Sequence, residues 1–526
     1  MPQQEVITFS LNGKVVEVPK GTTILQAAGG AGVEIPHLCY HPYLSVAGNC
    51  RMCMVEVEKS PKLVISCATP AAQGLVVRTD TPTVKKAVRG VLEFLLINHP
   101  IDCPVCDQAG ECKLQDYYMA HGLHESRITL SEKVRKRKAL DLGPIVLDSE
   151  RCVLCARCIR YLSEVTGTNE LGFFERGDRT QISAFLDSKV DANSYAGNLA
   201  DICPVGAITS KDFRFRCRVW FLKGTPAICP ECSTGCNMRV DHRNREVYRF
   251  VARLNPYVNK TWLCDAGRFS YKNLNGPERL LYPMVRKDGA FSRESWAACM
   301  SGISRRLKDS AVSGSKPVAI LSTRMTNEEL FLAKKVILGI GGTVAALNLT
   351  GGNPSSMEDF LLRRKDHTPN TTGAQKLGLE LLSGEMETKD FLGRLDKSRF
   401  SLLVTDEPAV LRECGTNLPL TIALATHRNA SISEADIVLP MATHVEREGT
   451  LTNFEGRVQR TEQSFPPPGE ARSAIDIISG LSGALGMNLN PGSVESVFSL
   501  LAKECSAFSG LAYENLGEYG SLVKTT

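Results

Sequence analysis

The chain has 526 residues, 43% of them hydrophobic and 23% charged, the balance of a globular protein long enough to bury several cores. A net charge of +5, drawn from 62 basic and 57 acidic side chains, is too small to argue for nucleic acid, and the one basic run, Lys133 to Lys138, reads as a solvated linker face. No stretch approaches the roughly 18 apolar residues of a membrane helix, and Met1-Pro2-Gln3-Gln4-Glu5 lacks the basic and apolar regions of a signal peptide, so a cytoplasmic, non-spanning chain is expected.

Cysteine carries the information: 16 of the 19 Cys fall before residue 265. In a reducing compartment, clustered Cys at short repeated spacings read as metal ligands before they read as disulfides. From the N-terminus, Val6 to Val18 alternates apolar and polar residues around Asn12-Gly13, a pair suited to a type I′ turn, and Thr23 to Ala31 suits a short helix. A Cys loop follows, with Cys39, Cys50, Cys53 and Cys67 spaced C-x10-C-x2-C-x13-C. Strand, turn, strand, helix and Cys loop together suggest a ferredoxin-like β-grasp domain with a [2Fe–2S] cluster. Structural zinc also takes four thiolates, but zinc ribbons use two close Cys pairs and only one is close here.

The apolar positions Val84, Val88, Val91, Leu92 and Leu95 predict a helix from Pro82, stopped at Asn98-His99-Pro100 because the residue before proline is pushed out of the α region. His99, Cys103, Cys106 and Cys112 follow at H-x3-C-x2-C-x5-C, and with no fourth Cys nearby His99 is the candidate fourth ligand of a [4Fe–4S] cluster. A neutral imidazole in place of a thiolate makes such a site easier to reduce.

Next come Cys152, Cys155 and Cys158 at C-x2-C-x2-C, with a remote fourth ligand. Cys203-Pro204 has the Cys-Pro form that serves a distant cluster in bacterial ferredoxins, and Cys217 is the rival. Position 162 is leucine, so only one [4Fe–4S] cluster is expected there. The last group is Cys229, Cys232, Cys236 and Cys264 at C-x2-C-x3-C-x27-C, a third tetranuclear set. Pro226, Pro230 and Gly235 are read as holding its first three on a turn, and Val240 to Val251 as a returning hairpin. Cys217, Cys299, Cys414 and Cys505 are left as packing residues.

Four such groups in this order resemble the large iron–sulfur subunit of bacterial respiratory complex I, the proton-pumping NADH:quinone oxidoreductase. The resemblance implies one [2Fe–2S] and three [4Fe–4S] clusters on the residues above. It also implies an FMN-containing, NADH-oxidising partner subunit, quinone-side iron–sulfur partner subunits, and a peripheral place on the cytoplasmic face of the bacterial inner membrane. In that family the fourth centre occurs only in some bacterial members and lies off the main path.

Beyond residue 270 the composition changes to α/β patterning with few Cys. Gly276 to Met284, Trp296, Thr326-Asn327-Glu328-Glu329, Ala435 to Pro440, Glu446 to Asn453 and Glu455 to Gln459 are similar to molybdopterin oxidoreductase domains. The catalytic enzymes of that kind place a Cys, selenocysteine or Ser on the metal where Asn348 to Ser356 stands. That stretch has no Cys, with Ser355 and Ser356 the only stand-ins, and Ala266 replaces a usual basic residue. A degenerate, shortened domain without molybdopterin is expected. Gly339-Ile340-Gly341-Gly342 and Gly351-Gly352 do not make G-x-G-x-x-G, so no nicotinamide site is supported, and no acid, base or nucleophile is nominated.

The expected domains are 1–80 (β-grasp), 81–122 (His/Cys3), 140–215 (ferredoxin-like), 220–275 (fourth cluster) and 276–526 (molybdopterin-oxidoreductase-like). The fold class is thus α+β in the N-terminal half and α/β in the C-terminal half. The rival functions are a catalytic subunit of an NAD-linked formate dehydrogenase and a diaphorase subunit of an NAD-linked hydrogenase.

Overall fold

The computed structural model describes residues 5–524 apart from 123–126, 128–138, 186–189, 191, 275, 313, 315, 349–357, 396–401, 406–417, 419, 429–431, 488 and 490. The run Lys133 to Lys138, Gly351-Gly352, Ser355, Ser356 and Cys414 therefore lie outside the described residues. The chain forms two compact units, Met1–Leu222 and Lys223–Thr526.

In the first unit, strands β1 (Val6–Leu11) and β2 (Lys14–Pro19) pair antiparallel across Asn12 and Gly13, whose φ values of 51° and 82° are those of the expected type I′ turn. Helix α1 (Ile24–Gly30) opens with a capping box. The Thr23 hydroxyl accepts from the Gln26 N–H while the Gln26 side chain accepts from the Thr23 N–H. With β3 (Met54–Val57), β4 (Val64–Ile65) and β5 (Val76–Arg78) the sheet order is β2-β1-β5-β3-β4, β1 and β5 running parallel, and Ile24, Leu25, Ala27 and Ala28 of α1 pack into its core. The β-grasp expectation is borne out.

Helix α2 (Pro82–Leu96) starts with Thr81 as N-cap and Pro82 in the first turn, where a missing N–H costs nothing. It buries Val84, Val88 and Leu92, and stops before His99-Pro100 as read from the sequence. Helix α3 (Lys113–His121) begins on Cys112. Strands β6 (Leu140–Asp141) and β7 (Ile145–Leu147), helix α4 (Arg157–Tyr161), the hairpin β8 (Leu171–Phe174) and β9 (Gln181–Ala184), helix α5 (Asn198–Ile202) and β10 (Ile208–Ser210) complete the unit. One apolar core joins Leu38 and Met52 to Val84, Val88 and Leu92 of α2, Leu114 and Tyr117 of α3, and Val205 and Ala207.

In the second unit, β11 (Lys223–Ile228), β12 (Asn237–Arg243) and β13 (Glu246–Ala252) make an antiparallel sheet, and α6 (Asp265–Phe269) begins on Cys264. Pro226, expected in a turn, lies within β11 opposite Arg239. β11 is at the sheet edge, so a residue with no N–H is tolerated there, and its carbonyl accepts from the Glu462 N–H at 3.1 Å.

The larger sheet contains β14 (Met284–Lys287), β15 (Ala290–Arg293), β16 (Val318–Ser322), β17 (Thr343–Asn348), β18 (Glu380–Ser383), β19 (Leu402–Thr405), β20 (Thr421–Ala425) and β21 (Ile437–Pro440), in the order β15-β14-β21-β20-β19-β16-β17-β18. From β21 to β18 neighbouring strands run parallel. Ala319, Leu321, Ile422 and Leu424 enter one core, with α7 (Trp296–Val312) and α8 (Asn327–Gly339), while Val318, Ile320, Ala423 and Ala425 enter another, with α10 (Gly384–Gly393), which follows the short α9 (Thr371–Lys376). Coverage on both faces is why these strands read as unbroken apolar runs. Gly339 to Gly342 end α8 and lead into β17, which is the reverse of a strand-to-helix phosphate loop. Among the described residues no helix is long and apolar enough to cross a membrane.

The start of α8 is buried in a polar network with β22 (Gly449–Thr452), which pairs with β23 (Arg457–Thr461). Asn327 Nδ2 donates to Thr450 Oγ1 at 2.9 Å and Thr452 Oγ1 at 3.0 Å, Glu328 accepts from the Thr450 N–H and hydroxyl, and Arg447 pairs with Glu329 at 3.0 Å. Burial raises the Glu328 carboxyl to about 7, against an ordinary value of 4.5. The folded chain holds that proton to higher pH than the unfolded one, so Glu328 weakens folding as pH rises from about 4.5 to about 7, by on the order of 3 kcal/mol. Glu328→Gln should therefore be more stable than the parent in denaturant unfolding at pH 8.5, with the gap closing as pH falls toward 4.5. A gap independent of pH would show that the carboxyl is not neutralised by burial.

Candidate metal centres

Every proposed ligand loop turns on left-handed residues. Arg51 (φ 58°) lies between Cys50 and Cys53, Leu154 (φ 53°) between Cys152 and Cys155, and Ala156 (φ 57°) between Cys155 and Cys158, with Gly48, Gly110 and Gly235 in the same region in their loops. For a side-chain-bearing residue this conformation costs about 1–2 kcal/mol. It turns successive N–H groups toward one side, the concave arrangement that receives anions and cluster sulfides. At eight cysteines the N–H two residues later approaches the sulfur, as at Cys50/Met52, Cys106/Gln108, Cys112/Leu114, Cys155/Arg157, Cys203/Val205, Cys229/Glu231 and Cys232/Thr234, and at Cys152/Leu154, where the distance is 3.4 Å.

The first group is the tightest. Cys39, Cys53 and Cys67 are buried, and Cys39 accepts from the thiols of Cys50 and Cys67, as Cys53 does from that of Cys67. These bonds hold Cys39 and Cys53 below the ordinary thiol range, Cys53 at about 6, and push Cys50 and Cys67 above it.

In the second group Cys106 and Cys112 are buried, and burial raises both, Cys112 to about 11, with Cys103 adding to the repulsion. His99 lies half-buried in the turn before them. The Arg151 guanidinium, hydrogen-bonded to Asp102, holds that carboxyl below the usual carboxylate range.

The third group lines one cavity with Leu147, Val153, Arg157, Ile182, Val205, Ala207 and Ile208, and its walls include all four of Cys152, Cys155, Cys158 and Cys203. The rival Cys217 is instead turned to the Arg218 carbonyl, 3.5 Å from its sulfur. Burial raises Cys158 well above the thiol range and Cys203 to about 12.

The fourth group, in the second unit, hangs between β11, β12 and α6. The Cys229 N–H donates to the Cys236 carbonyl at 2.9 Å, Cys264 caps α6, and burial raises Cys229, Cys232 and Cys236, and Cys264 to about 12. A Cβ on Gly267 would stand 2.7 Å from Cys229 Sγ and 3.6 Å from Cys264 Sγ, so only glycine leaves room there. The Thr234 hydroxyl reaches the Leu362 carbonyl at 2.5 Å, and Gln459 Nε2 the Gly235 carbonyl at 2.9 Å, so the α/β fold itself grips this loop.

These sets fit iron–sulfur clusters in donor chemistry: thiols buried together, with N–H groups aimed at sulfur. Neighbouring thiolates without a cation would repel, and where burial raises a thiol, metal must displace its proton to bind. Among the described residues no three His, Cys, Asp or Glu side chains are gathered tightly enough for a single metal ion.

Sequence reasoning missed the groups that tie these loops together. Arg160 Nη2 donates to the carbonyls of Cys39 (2.6 Å) and Cys155 (3.2 Å), and Arg157 Nη2 to that of Tyr40 (2.6 Å). Asn49 Nδ2 donates to the Leu154 carbonyl at 3.0 Å. These join the first group to the third. The Lys113 N–H donates to the Pro204 carbonyl at 2.9 Å, and Arg151 pairs with both Asp102 and Asp148, joining the second to the third. Position in the sequence was the one available signal, since Arg157 and Arg160 flank Cys158.

A Cβ on Gly206 would stand 2.3 Å from Cys106 Sγ. Gly206→Ala should therefore diminish the signal of the cluster assigned to the His99 group by at least half in EPR of anaerobically purified protein, while sparing that of the Cys229 group. Retention of all signals at full intensity would refute this packing.

Family models match consecutive stretches of the chain: a 2Fe-2S iron-sulfur cluster binding domain over residues 4–82 and the NADH-ubiquinone oxidoreductase-G iron-sulfur binding region over 89–127. The NADH-quinone oxidoreductase subunit 3 ferredoxin-like domain matches 143–209, an NADH-ubiquinone oxidoreductase NDSU1/NuoG-like 4Fe-4S domain 223–272, and the molybdopterin oxidoreductase model 279–414 and 402–484. The G subunit of the NADH-quinone oxidoreductase of Rickettsia conorii is 32% identical over 96% of this chain and 92% of its own length. The mitochondrial NADH dehydrogenase [ubiquinone] iron-sulfur protein 1 of Solanum tuberosum is 45% identical over 65% of this chain and 45% of its own. Among solved structures, a chain of an NAD+-reducing [NiFe]-hydrogenase in the H2-reduced state is 34% identical over 40% of this chain and 91% of that one, with a TM-score of 0.37.

Proposed function

This chain belongs to the G-subunit family of the NADH-quinone oxidoreductases, and we propose that in such a complex it relays single electrons from an NADH-oxidising FMN subunit toward quinone-side iron–sulfur subunits. The whole assembly couples that transfer to proton translocation. The proposed ligands are Cys39, Cys50, Cys53 and Cys67 for one [2Fe–2S] cluster. His99, Cys103, Cys106 and Cys112, then Cys152, Cys155, Cys158 and Cys203, then Cys229, Cys232, Cys236 and Cys264 are proposed for three [4Fe–4S] clusters. When bound, these clusters take up and release one electron at a time. The chain is read as peripheral, at the cytoplasmic face of the inner membrane.

The observation that carries this reading is that the first three groups surround one apolar core. Cys50, Cys112, Cys152 and Cys203, drawn from all three, pack against it. The third group is tied directly to each of the other two, which supports a relay in which it stands between them. The chain's own work is placement and tuning: loops hold sulfurs, buried walls exclude water, and N–H donors offset charge. The residues resembling a molybdopterin domain hydrogen-bond one another, and we read that half as scaffold without a pterin.

Elemental analysis of the anaerobically purified native protein tests this. One binuclear and three tetranuclear clusters require about 14 irons per chain with no molybdenum or tungsten. Stoichiometric molybdenum or tungsten would move the second unit from scaffold to active site and favour a formate dehydrogenase. His99→Ala should lose or convert one tetranuclear EPR signal and leave the others, and an unchanged spectrum would remove His99 from the ligands.

A further inference from the structure

We propose that Arg157 is the built-in counter-charge of the cluster held by Cys152, Cys155, Cys158 and Cys203, and that it raises that cluster's reduction potential. This rests on the reading of those four residues as a cluster site. Arg157 lines their cavity. Its Nη1 donates to the carbonyl of Ile202, the residue before Cys203, at 3.1 Å, and its Nη2 to the carbonyl of Tyr40, the residue after Cys39, at 2.6 Å. Its Nε is buried without a hydrogen-bond partner.

Among the described residues no carboxylate stands within ion-pair distance of Arg157, whereas Arg151, six residues earlier, is paired with two. The groups that interact with its charge are the thiols of Cys155, Cys203 and Cys39, a second cation, Arg160, and His37, His41 and Tyr117. A guanidinium taken out of water needs an opposite charge. Two carbonyl oxygens accept from its two terminal nitrogens and leave the charge uncompensated. A four-thiolate cluster is anionic in either oxidation state and gains one more negative charge when reduced, so a fixed cation in its wall favours the reduced form. Arg160 also sits between the two loops and donates to the backbone carbonyls of Ser45, Cys39, Cys155 and Ala156, but it does not line the cavity.

The test is an EPR-monitored redox titration of the anaerobically purified full-length holoprotein, with iron counted in each sample, for the parent and for Arg157→Gln, Arg157→Met and Arg157→Lys. At fixed ambient potential the neutral variants should show the reduced-to-oxidised ratio of this cluster lowered at least tenfold, which is 59 mV for one electron. Arg157→Lys should stay within threefold of the parent, although it cannot make both carbonyl bonds. Loss of this cluster from Gln and Met but not from Lys would support the proposal equally, because charge would then be what holds it. Two results overturn it: a neutral variant with full iron and an unmoved potential, or a Lys variant as impaired as Gln, which would leave Arg157 a tie between loops. Absence of this tetranuclear signal from the parent would instead overturn the cluster reading beneath it.

Discussion

Sulfur is packed against sulfur in this protein, in surroundings that cannot stabilise so many thiolates unaided. In each of the four groups at least two cysteines are buried, and burial or mutual hydrogen bonding moves their thiols away from ordinary values. The rest of the architecture follows from meeting that demand. Short loops adopt left-handed residues at about 1–2 kcal/mol each, and the N–H groups so exposed partly offset the charge on sulfur. A bound iron–sulfur cluster would supply the remainder, which would couple its assembly to the stability of the fold.

The first unit ties three such loops together by sharing one core among them. Leu38 precedes Cys39 and Met52 lies between Cys50 and Cys53, α2 and α3 bracket the second group, and Val205 follows Cys203-Pro204 of the third. Packing of this kind fixes neighbours at van der Waals distance and leaves little freedom for one group to move without the others. Arginines do the stitching, because a planar fork of donors can satisfy several backbone carbonyls at once. Arg160 reaches carbonyls on both sides of the junction, and Arg218 reaches two in the second group's loop, those of Pro104 and Cys106.

In the second unit the same chemistry serves a different purpose. Two of the segments that resemble a molybdopterin domain meet at the start of α8, where Asn327, Glu328 and Glu329 contact Arg447, Thr450 and Thr452. Asn370 closes the set, accepting from the Thr452 N–H at 2.7 Å and donating to the Met325 carbonyl at 2.8 Å. A buried network satisfied internally specifies the packing of the helix against the strand and presents few free polar groups to a ligand. The fourth group is fastened to this scaffold through Thr234 and Gly235.

The sequence by itself determined what is local. The Asn12-Gly13 hairpin, the start of α2 at Thr81-Pro82, the end of that helix before Pro100 and the close Cys spacings depend on residues a few positions apart, whose conformational preferences hold before anything else folds. Pro226 was misread because a proline's tolerance depends on whether its strand is at an edge, and pairing decides that. The Cys–Pro form pointed to Cys203, but its arrival in the wall that carries Cys152, Cys155 and Cys158 is a property of the folded unit. So are the missing space beside Gly206 and the missing carboxylate beside Arg157. Clearance and counter-charge depend on atoms that folding brings in from elsewhere in the chain, so only the tertiary structure could decide that Arg151 is paired with Asp102 as well as Asp148 while Arg157, six residues on, donates to backbone carbonyls alone.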